Sequence, residues 1–305
     1  MSEYHDPVML SQCVDGLKIK PGGTYVDATF GGGGHSKAIF EQLENGHLVA
    51  FDQDEDAEQN AQKLEQDSGK RSFTFIDTNF RFLEKYLRFH QVDKVDGILA
   101  DLGVSSHQLD EPERGFSIRA NGPLDMRMDQ KTGKSAYNVI NQYDEDDLIH
   151  ILSAYGEIRN ARTLAGAILS ARTQKPIDSV DELKHVAMIC APKGKQNKYL
   201  AQVFQAVRIE VNAEIQALKE FLEQAGKVLR QDGRLVIISY HSLEDRPVKN
   251  YINKGNFKGQ DEKDFYGNPI RVFDAVNRKP IIPTLEEIEK NSRARSAKLR
   301  IGRKR

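Results

Sequence analysis

The residues Thr24-Tyr25-Val26-Asp27-Ala28-Thr29-Phe30-Gly31-Gly32-Gly33-Gly34-His35-Ser36 decide how the rest of the chain is read. A short apolar run ends in an acid, four glycines follow, and the sequence opens into the helix-like segment Lys37-Ala38-Ile39-Phe40-Glu41-Gln42-Leu43. Glycines let the backbone take left-handed dihedrals and approach a ligand closely, because no Cβ stands in the way. The N–H groups at the helix start then favour negative charge. About twenty residues on, a second apolar stretch, His47-Leu48-Val49-Ala50-Phe51, ends in Asp52, an acid placed to accept hydrogen bonds from ribose hydroxyls. Four glycines alone could be a plain tight turn. Strand, loop, helix, strand and acid in this order imply a nucleoside-containing cofactor across a doubly wound α/β sheet.

Two cofactors compete for that description, NAD and S-adenosylmethionine. The dinucleotide fingerprint places a third glycine for helix packing, and counting from Gly31 and Gly33 this position falls on Ser36. Asp27 has no role in gripping a pyrophosphate, but it can order the loop or meet the amine of a methionine. The pattern favours S-adenosylmethionine.

Outward from the loop, the N-terminal stretch carries Tyr4-His5-Asp6-Pro7-Val8-Met9 and a short amphipathic piece with Val14 and Leu17. Pro21-Gly22-Gly23 turns the chain into the first strand. Beyond Asp52, a polar helix over 55–65 leads to a third strand, Ser72-Phe73-Thr74-Phe75-Ile76-Asp77. A helix carrying Leu83 and Leu87 then precedes a fourth strand, Val95-Asp96-Gly97-Ile98-Leu99-Ala100, ending at Asp101. This alternation implies parallel βαβ units with right-handed crossovers.

The rhythm then breaks. Between Gln108 and Asn212 no strand pattern occurs; 111–129 reads as a long ordered loop, and helical spacing recurs over 144–155, 162–172, 179–189 and 199–229, with an interruption near Asn212. Ser179-Val180-Asp181-Glu182 is a capping box. Asp232-Gly233 returns the chain to strand at Arg234-Leu235-Val236-Ile237-Ile238-Ser239, and 270–276 and 298–301 are candidates to complete the sheet, with a short helix over 284–289 between them. The expected organisation is a discontinuous α/β domain, 1–108 with 213–305, interrupted by an inserted helical substrate-recognition domain at 109–212.

The 305 residues carry a formal net charge of −1, so bulk charge selects neither nucleic acid nor membrane. The segment from Arg293 to Arg305 is strongly basic and suits a polyanion as well as a solvated end. Cys13 and Cys190 have no metal-ligand spacing, and Cys190 reads as core. No metal is expected. The lack of a signal peptide, and of an apolar run near eighteen residues, points to the cytoplasm and away from membranes.

Functional groups in such sheets gather at the carboxyl ends of the strands. Those ends here are the glycine loop, Asp52, 77–80, Asp101-Leu102-Gly103-Val104-Ser105-Ser106, and Tyr240-His241-Ser242-Leu243-Glu244-Asp245-Arg246. Asp101 is either an acid capping the next turn or a carboxylate beside the transferable methyl group. His241, Ser242 and Asp245 crowd one loop and do not make a hydrolase triad, and no Gly-x-Ser-x-Gly elbow is present.

Thr29 to Ser36, Asp101 to Ser106 with Gln108, Glu113-Arg114-Gly115-Phe116-Ser117, Gly122-Pro123-Leu124-Asp125-Met126-Arg127-Met128, Ser239 to Arg246, and Arg293 to Arg300 together resemble the bacterial small-subunit ribosomal RNA methyltransferase H family, almost end to end. The resemblance implies a class I S-adenosylmethionine-dependent methyltransferase with a helical insertion, acting on N4 of a cytidine in 16S ribosomal RNA. Carried over residue by residue, its cofactor contacts fall on Gly33, Gly34, His35, Asp52, Phe80, Asp101 and Gln108. Family members often carry Phe where this chain has Tyr240, and Arg or Lys where it has Gly32.

That chemistry needs no metal, since the sulfonium is already a good leaving group. It needs the amino nitrogen, methyl carbon and sulfur held in line, and an acceptor for the amino hydrogens, for which Asp101 or a neighbouring backbone carbonyl is the candidate. Many amino-methyltransferases place Asp-Pro-Pro-aromatic at this point. Here Leu102-Gly103-Val104 follows Asp101, so an aromatic platform for the base must come from elsewhere, with Phe116 and Tyr240 as candidates, each equally readable as core. Candidate phosphate contacts are Lys193, Lys195, Lys198, Arg114, Arg119, Arg127 and the C-terminal arginines. His241, Ser242, Glu244 and Asp245 are further substrate-side candidates by their place on the rim. The partner is then 16S ribosomal RNA in the small subunit; the oligomeric state is left open, a homodimer included. The alternatives are a dehydrogenase, a methyltransferase of protein or small molecules, and a ribosome-assembly factor that binds RNA on a non-catalytic methyltransferase fold.

Overall fold

The computed structural model describes residues 7–66, 71–131 and 133–305, so Tyr4, His5 and Asp6 lie outside the described residues. The chain folds into two compact units, one formed by 1–103 with 215–305 and the other by Val104–Glu214.

The first unit is built on a seven-stranded sheet. In chain order its strands are β1 (Thr24–Asp27), β2 (His47–Asp52), β3 (Ser72–Asp77), β4 (Val95–Asp101), β5 (Leu229–Ser239), β6 (Phe273–Ala275) and β7 (Lys298–Lys304). In space the order is β3-β2-β1-β4-β5-β7-β6. The first five strands pair in parallel, with Val26 opposite Val49 on one side and Ile98 on the other, whereas β7 runs antiparallel to both β5 and β6. This is the class I methyltransferase sheet, mostly parallel with a reversed strand near one edge. β5 begins earlier than its apolar run suggests. It starts at Leu229, passes a register irregularity against β4, and takes Asp232 through φ 64 before the regular pairing resumes at Arg234.

Both faces of the sheet are covered, which is why β4 and the end of β5 read as continuous apolar runs. Alternate residues point to opposite sides. Val26, Val49, Ile98, Ala100, Leu235 and Ile237 pack with Leu83 and Leu87 of α4 (Leu83–Phe89), Leu218, Phe221 and Leu222 of α11 (Glu214–Val228), and Val248 of α12 (Ser242–Lys254). Tyr25, Leu48, Leu99, Val236 and Ile238 face the other way, onto Cys13 and Leu17 of α1 (Leu10–Leu17) and Ile39 and Phe40 of α2 (Gly34–Glu41). Ala57 and Ala61 of α3 (Asp56–Gln66) close over Phe30 and Ala50. The last helix of the unit, α13 (Leu285–Lys290), is capped by Thr284, whose hydroxyl accepts from the Glu287 amide.

The second unit is helical: α5 (Ser106–Asp110), α6 (Ala136–Gln142), α7 (Glu145–Ala154), α8 (Ala161–Gln174), α9 (Val180–Cys190) and α10 (Gln196–Asn212). No strand occurs among its described residues. Leu148, Ile151 and Leu152 meet Leu164, Ala165 and Ile168, Val180 and Leu183, and Val203 and Val207 in one core. The glycine-rich segment 111–129 is ordered because it contributes to that core, with Leu124 and Met126 almost fully buried. Arg172 ends α6 by donating to the carbonyls of Ile140 and Tyr143, both at 2.7 Å. The break between α10 and α11 falls on Ala213, which takes a left-handed φ of 48. None of the described helices is long and apolar enough to cross a membrane.

Candidate active site

The carboxyl ends of β1, β2 and β4 carry Asp27, Asp52 and Asp101, and hydrogen bonds join all three to the glycine loop. Asp27 is fully buried; it accepts from Ser36 Oγ at 2.7 Å and from the Thr29 amide at 3.1 Å. Burial pushes its carboxyl above the usual range, partly offset by His35 and by these two donors. Of the two roles open to Asp27 in the sequence, ordering the loop is the one these bonds perform. Asp52 grips the loop from the side: its Oδ2 accepts from the Gly31 amide at 2.6 Å and its Oδ1 from the Asp54 amide at 2.9 Å. Thr29, which the sequence did not single out, accepts from the Asp101 amide through Oγ1 at 2.7 Å, so the loop is stitched to β4 as well.

Within the loop the glycines do different work. Gly31 has φ +51, and a Cβ there would meet nothing within 4 Å, so this stretch of backbone borders open space. Gly33, the residue before α2, has φ +79, and its Cβ would lie 2.8 Å from Phe30 Cζ. Gly34 has no room for a side chain either, because Pro7 Cγ would stand 2.3 Å from its Cβ. His35 is buried at the first turn of α2, where its Nε2 donates to the Val8 carbonyl at 3.0 Å and ties the loop to the N-terminal segment.

Phe80 follows β3 in a short 3₁₀ turn capped by Asn79, whose Oδ1 accepts from the Arg81 amide at 2.9 Å. Asn79 Nδ2 also donates to Gln53 Oε1 at 2.7 Å, linking the ends of β2 and β3. Half-buried, Phe80 stands edge-on to Phe221 with 5.1 Å between centroids.

At the end of β4, the Asp101 carboxyl is pushed up to about 6, chiefly by burial. Its Oδ1 accepts from Tyr240 Oη at 2.8 Å, and none of the described residues donates to Oδ2. The Tyr240 hydroxyl itself is driven far upward by burial and by the neighbouring Asp101, so it remains a donor throughout the working range. Tyr240 is positioned in turn by Glu244, which is buried on the first turn of α12 and accepts from the Tyr240 amide through Oε2 at 2.8 Å. Glu244 Oε1 lies 3.1 Å from His241 Nε2. Ser242 is exposed at the start of α12.

Asp245 does something else. Arg300 of β7 clamps it bidentately, Nε to Oδ1 at 2.6 Å and Nη2 to Oδ2 at 3.1 Å, with both side chains largely buried. The substrate-side expectation for Asp245 is therefore corrected: its lone pairs are committed to a brace between α12 and β7. The same bond withdraws Arg300 from the basic C-terminal stretch as a phosphate contact, while Arg295 is exposed. Arg300 faces inward, Arg303 pairs with Asp232 and Asp274, and Arg305 pairs with Asp274.

The remaining expected residues belong to the helical unit. Gln108 is buried in the capping box of α5, its amide N–H donating to Ser105 Oγ and its Oε1 accepting from the Ser105 amide, both at 3.1 Å. Arg114 is corrected from phosphate contact to internal strut, since it is 5% exposed and its Nη2 donates to the carbonyls of Arg127 and Met128, both at 3.2 Å. Phe116 is likewise corrected from base platform to core, packed among Leu124, Met126 and their neighbours. Arg127 is paired to Asp125 at 2.7 Å. Arg119, Lys193, Lys195 and Lys198 are exposed.

The residues of the first unit fit a nucleoside carrying a positive centre. Open glycine backbone at Gly31 allows close approach. Asp52 accepts only two hydrogen bonds from the described backbone, leaving carboxylate lone pairs for a ribose diol. Burial has already cost Asp27 and Asp101 their usual solvation, and His35 offsets that only in part, so a positive centre brought beside them is favoured.

The model of the MraW methylase family matches residues 2–305. The chain is 57% identical to the ribosomal RNA small subunit methyltransferase H of Cytophaga hutchinsonii, over 98% of each chain. It is 56% identical to the protein of that name from Flavobacterium johnsoniae, over 99% of this chain and 98% of the relative. Among solved structures, an rRNA methylase from Streptococcus thermophilus aligns over 97% of this chain and 93% of its own, at 14% identity and a TM-score of 0.43.

Proposed function

The chain belongs to the MraW methylase family, and from that premise we propose that this S-adenosylmethionine-dependent rRNA methyltransferase modifies the exocyclic N4 of a cytidine in 16S ribosomal RNA, with Asp101 as the acceptor for the amino group. S-adenosylmethionine, when bound, supplies a methyl group on a sulfonium, an electrophile that needs no metal. Gly31 and Gly33 to His35 are the backbone that would border it, Asp52 the acceptor for its ribose, and Phe80 an apolar wall. Gln108, the remaining residue of the carried-over set, belongs to the helical unit, and its cofactor role rests on the family resemblance alone.

The observation that carries the reading is the Asp101 carboxylate, oriented by Tyr240 through one oxygen and open to a donor through the other. The lone pair of cytosine N4 is delocalised into the ring, so the amino group is a poor nucleophile. A carboxylate accepting its N–H draws that lone pair out of conjugation. With its pKa near 6, Asp101 is ionised at neutral pH and basic enough to receive the proton that N4 must lose. The target cytidine must be unstacked or single-stranded to reach a carboxylate on the sheet rim. The substrate form favoured is 16S rRNA within the small ribosomal subunit.

The test is incubation with labelled S-adenosylmethionine and small subunits from cells lacking the enzyme, followed by digestion to nucleosides. Label in N4-methylcytidine is expected. Label in any other nucleoside would overturn the assignment of the acceptor atom.

A further inference from the structure

We propose that the hairpin 261–271 is a second rRNA contact, a stacking platform for an unpaired nucleotide, lying far from the sheet rim that carries Asp101. The proposal rests on rRNA being the acceptor and adds where else the chain holds it.

Every residue from Asp261 to Ile270 is exposed, so the hairpin projects from the first unit. At its tip, Phe265 is 97% and Tyr266 84% exposed. Burial cannot account for two adjacent aromatic rings held in water. Their rings stand edge to face, 5.5 Å between centroids at 87°, so one flat face is turned aside from the other.

The turn beneath them is built to hold that presentation. Asp264 Oδ1 accepts from the amides of Tyr266 and Asn268, both at 2.9 Å, and Oδ2 from Asn268 Nδ2 at 3.1 Å. The Gly267 amide donates to the Asp264 carbonyl at 3.0 Å, and Ile270 donates to Glu262 across the stem at 2.8 Å. Aromatic side chains with few rotamers on a pre-formed turn lose little entropy on binding.

Charge selects the occupant. Asp264 spends its carboxylate on amides, and Asp261 is neutralised by Lys254 and Arg271. By contrast, Lys258 and Lys263 are exposed, as are Arg246 and Lys249, which share one face of α12 three residues apart. No carboxylate pairs with these four cations among the described residues. α12 starts beside Tyr240 at the rim and runs about 20 Å to the base of the hairpin, taking 1.5 Å per residue. A line of unpaired cations leading to exposed aromatic faces matches single-stranded RNA, whose phosphates take the charges and whose bases stack on the rings.

The test is equilibrium binding of the full chain to protein-free 16S rRNA, without turnover. The Phe265→Ala/Tyr266→Ala double variant is expected to weaken binding about tenfold or more, while Phe265→Tyr/Tyr266→Phe retains it. S-adenosylmethionine affinity and melting temperature should not move, because the rings contact no core. Unchanged affinity for protein-free rRNA would overturn the proposal. So would weakened binding confined to intact subunits, which would make the partner a ribosomal protein. The outcome is separable from the assignment of the acceptor atom, since a methylated nucleoside other than N4-methylcytidine leaves this binding measurement untouched.

Discussion

Tyr240 Oη donates a 2.8 Å hydrogen bond to Asp101 Oδ1, joining the ends of two neighbouring parallel strands across 139 residues of sequence. Asp101 is thereby held by a neutral donor in a place where burial has raised its pKa to about 6, and the bond opposes that rise. Methylation should therefore fall as pH drops through about 6. Removing the hydroxyl in Tyr240→Phe lets the Asp101 pKa climb further, so the acid limb of the pH–kcat profile should shift upward while the plateau near pH 8.5 changes little. An acid limb that stays in place would detach Tyr240 from the chemistry.

Asp101→Asn keeps the shape of the side chain and removes both the negative charge and the base. We expect kcat to drop by about 10²-fold or more, with far-ultraviolet circular dichroism and melting temperature close to those of the parent. Full activity in this variant would move the acceptor to a backbone carbonyl.

The loop glycines separate ligand access from folding. Gly31→Ala adds a methyl group into open space at φ +51, a backbone strain of roughly 1 kcal/mol, and should weaken S-adenosylmethionine binding in calorimetry with only a small fall in melting temperature. Gly33→Ala carries the same kind of strain and drives Cβ to within 2.8 Å of Phe30 Cζ. It should lose stability as well as affinity.

Asp245→Ala leaves Arg300 largely buried without its bidentate partner, a loss of about 3 kcal/mol that urea denaturation can read. Asp245→Leu combined with Arg300→Met should recover much of it. If the single variant is as stable as the parent and only rRNA binding suffers, the brace is dispensable and Asp245 belongs to the substrate side after all.

What the sequence made legible was local. Val26 and Ile98 announce buried strands because both faces of the sheet are covered, and Gly31 announces a positive φ because other residues avoid it. Asn212 marked the break between α10 and α11 to within a residue of Ala213. Pairings across long separations left no such trace. Arg300 looked like one more charge in a basic stretch, yet the alternation of Leu299 and Ile301 with charged neighbours is the period-two mark of a strand, and Arg300 points to the opposite face from them, which is also covered, to meet Asp245, 55 residues away. Arg114 and Phe116 sit in a segment without periodicity, where neither burial nor exposure repeats and so neither can be read. The Thr29 bond to Asp101 and the Gln53 bond to Asn79 carry no sequence signal beyond the capping tendency of Asn79.

The position of β7 between β5 and β6 sets an order on biosynthesis. As the chain leaves the ribosome, β5 emerges with β4 already beside it but with its other side unpaired, and it remains an open edge until residues 298–304 arrive. Through that interval Val236 and Ile238 wait for Leu299 and Ile301, and α12 waits for Arg300 to brace Asp245. An uncovered apolar strand edge is a template for pairing with other chains. The nascent protein is thus most exposed to aggregation in the interval between the emergence of β5 and that of β7, when the glycine loop and β4 have long been made.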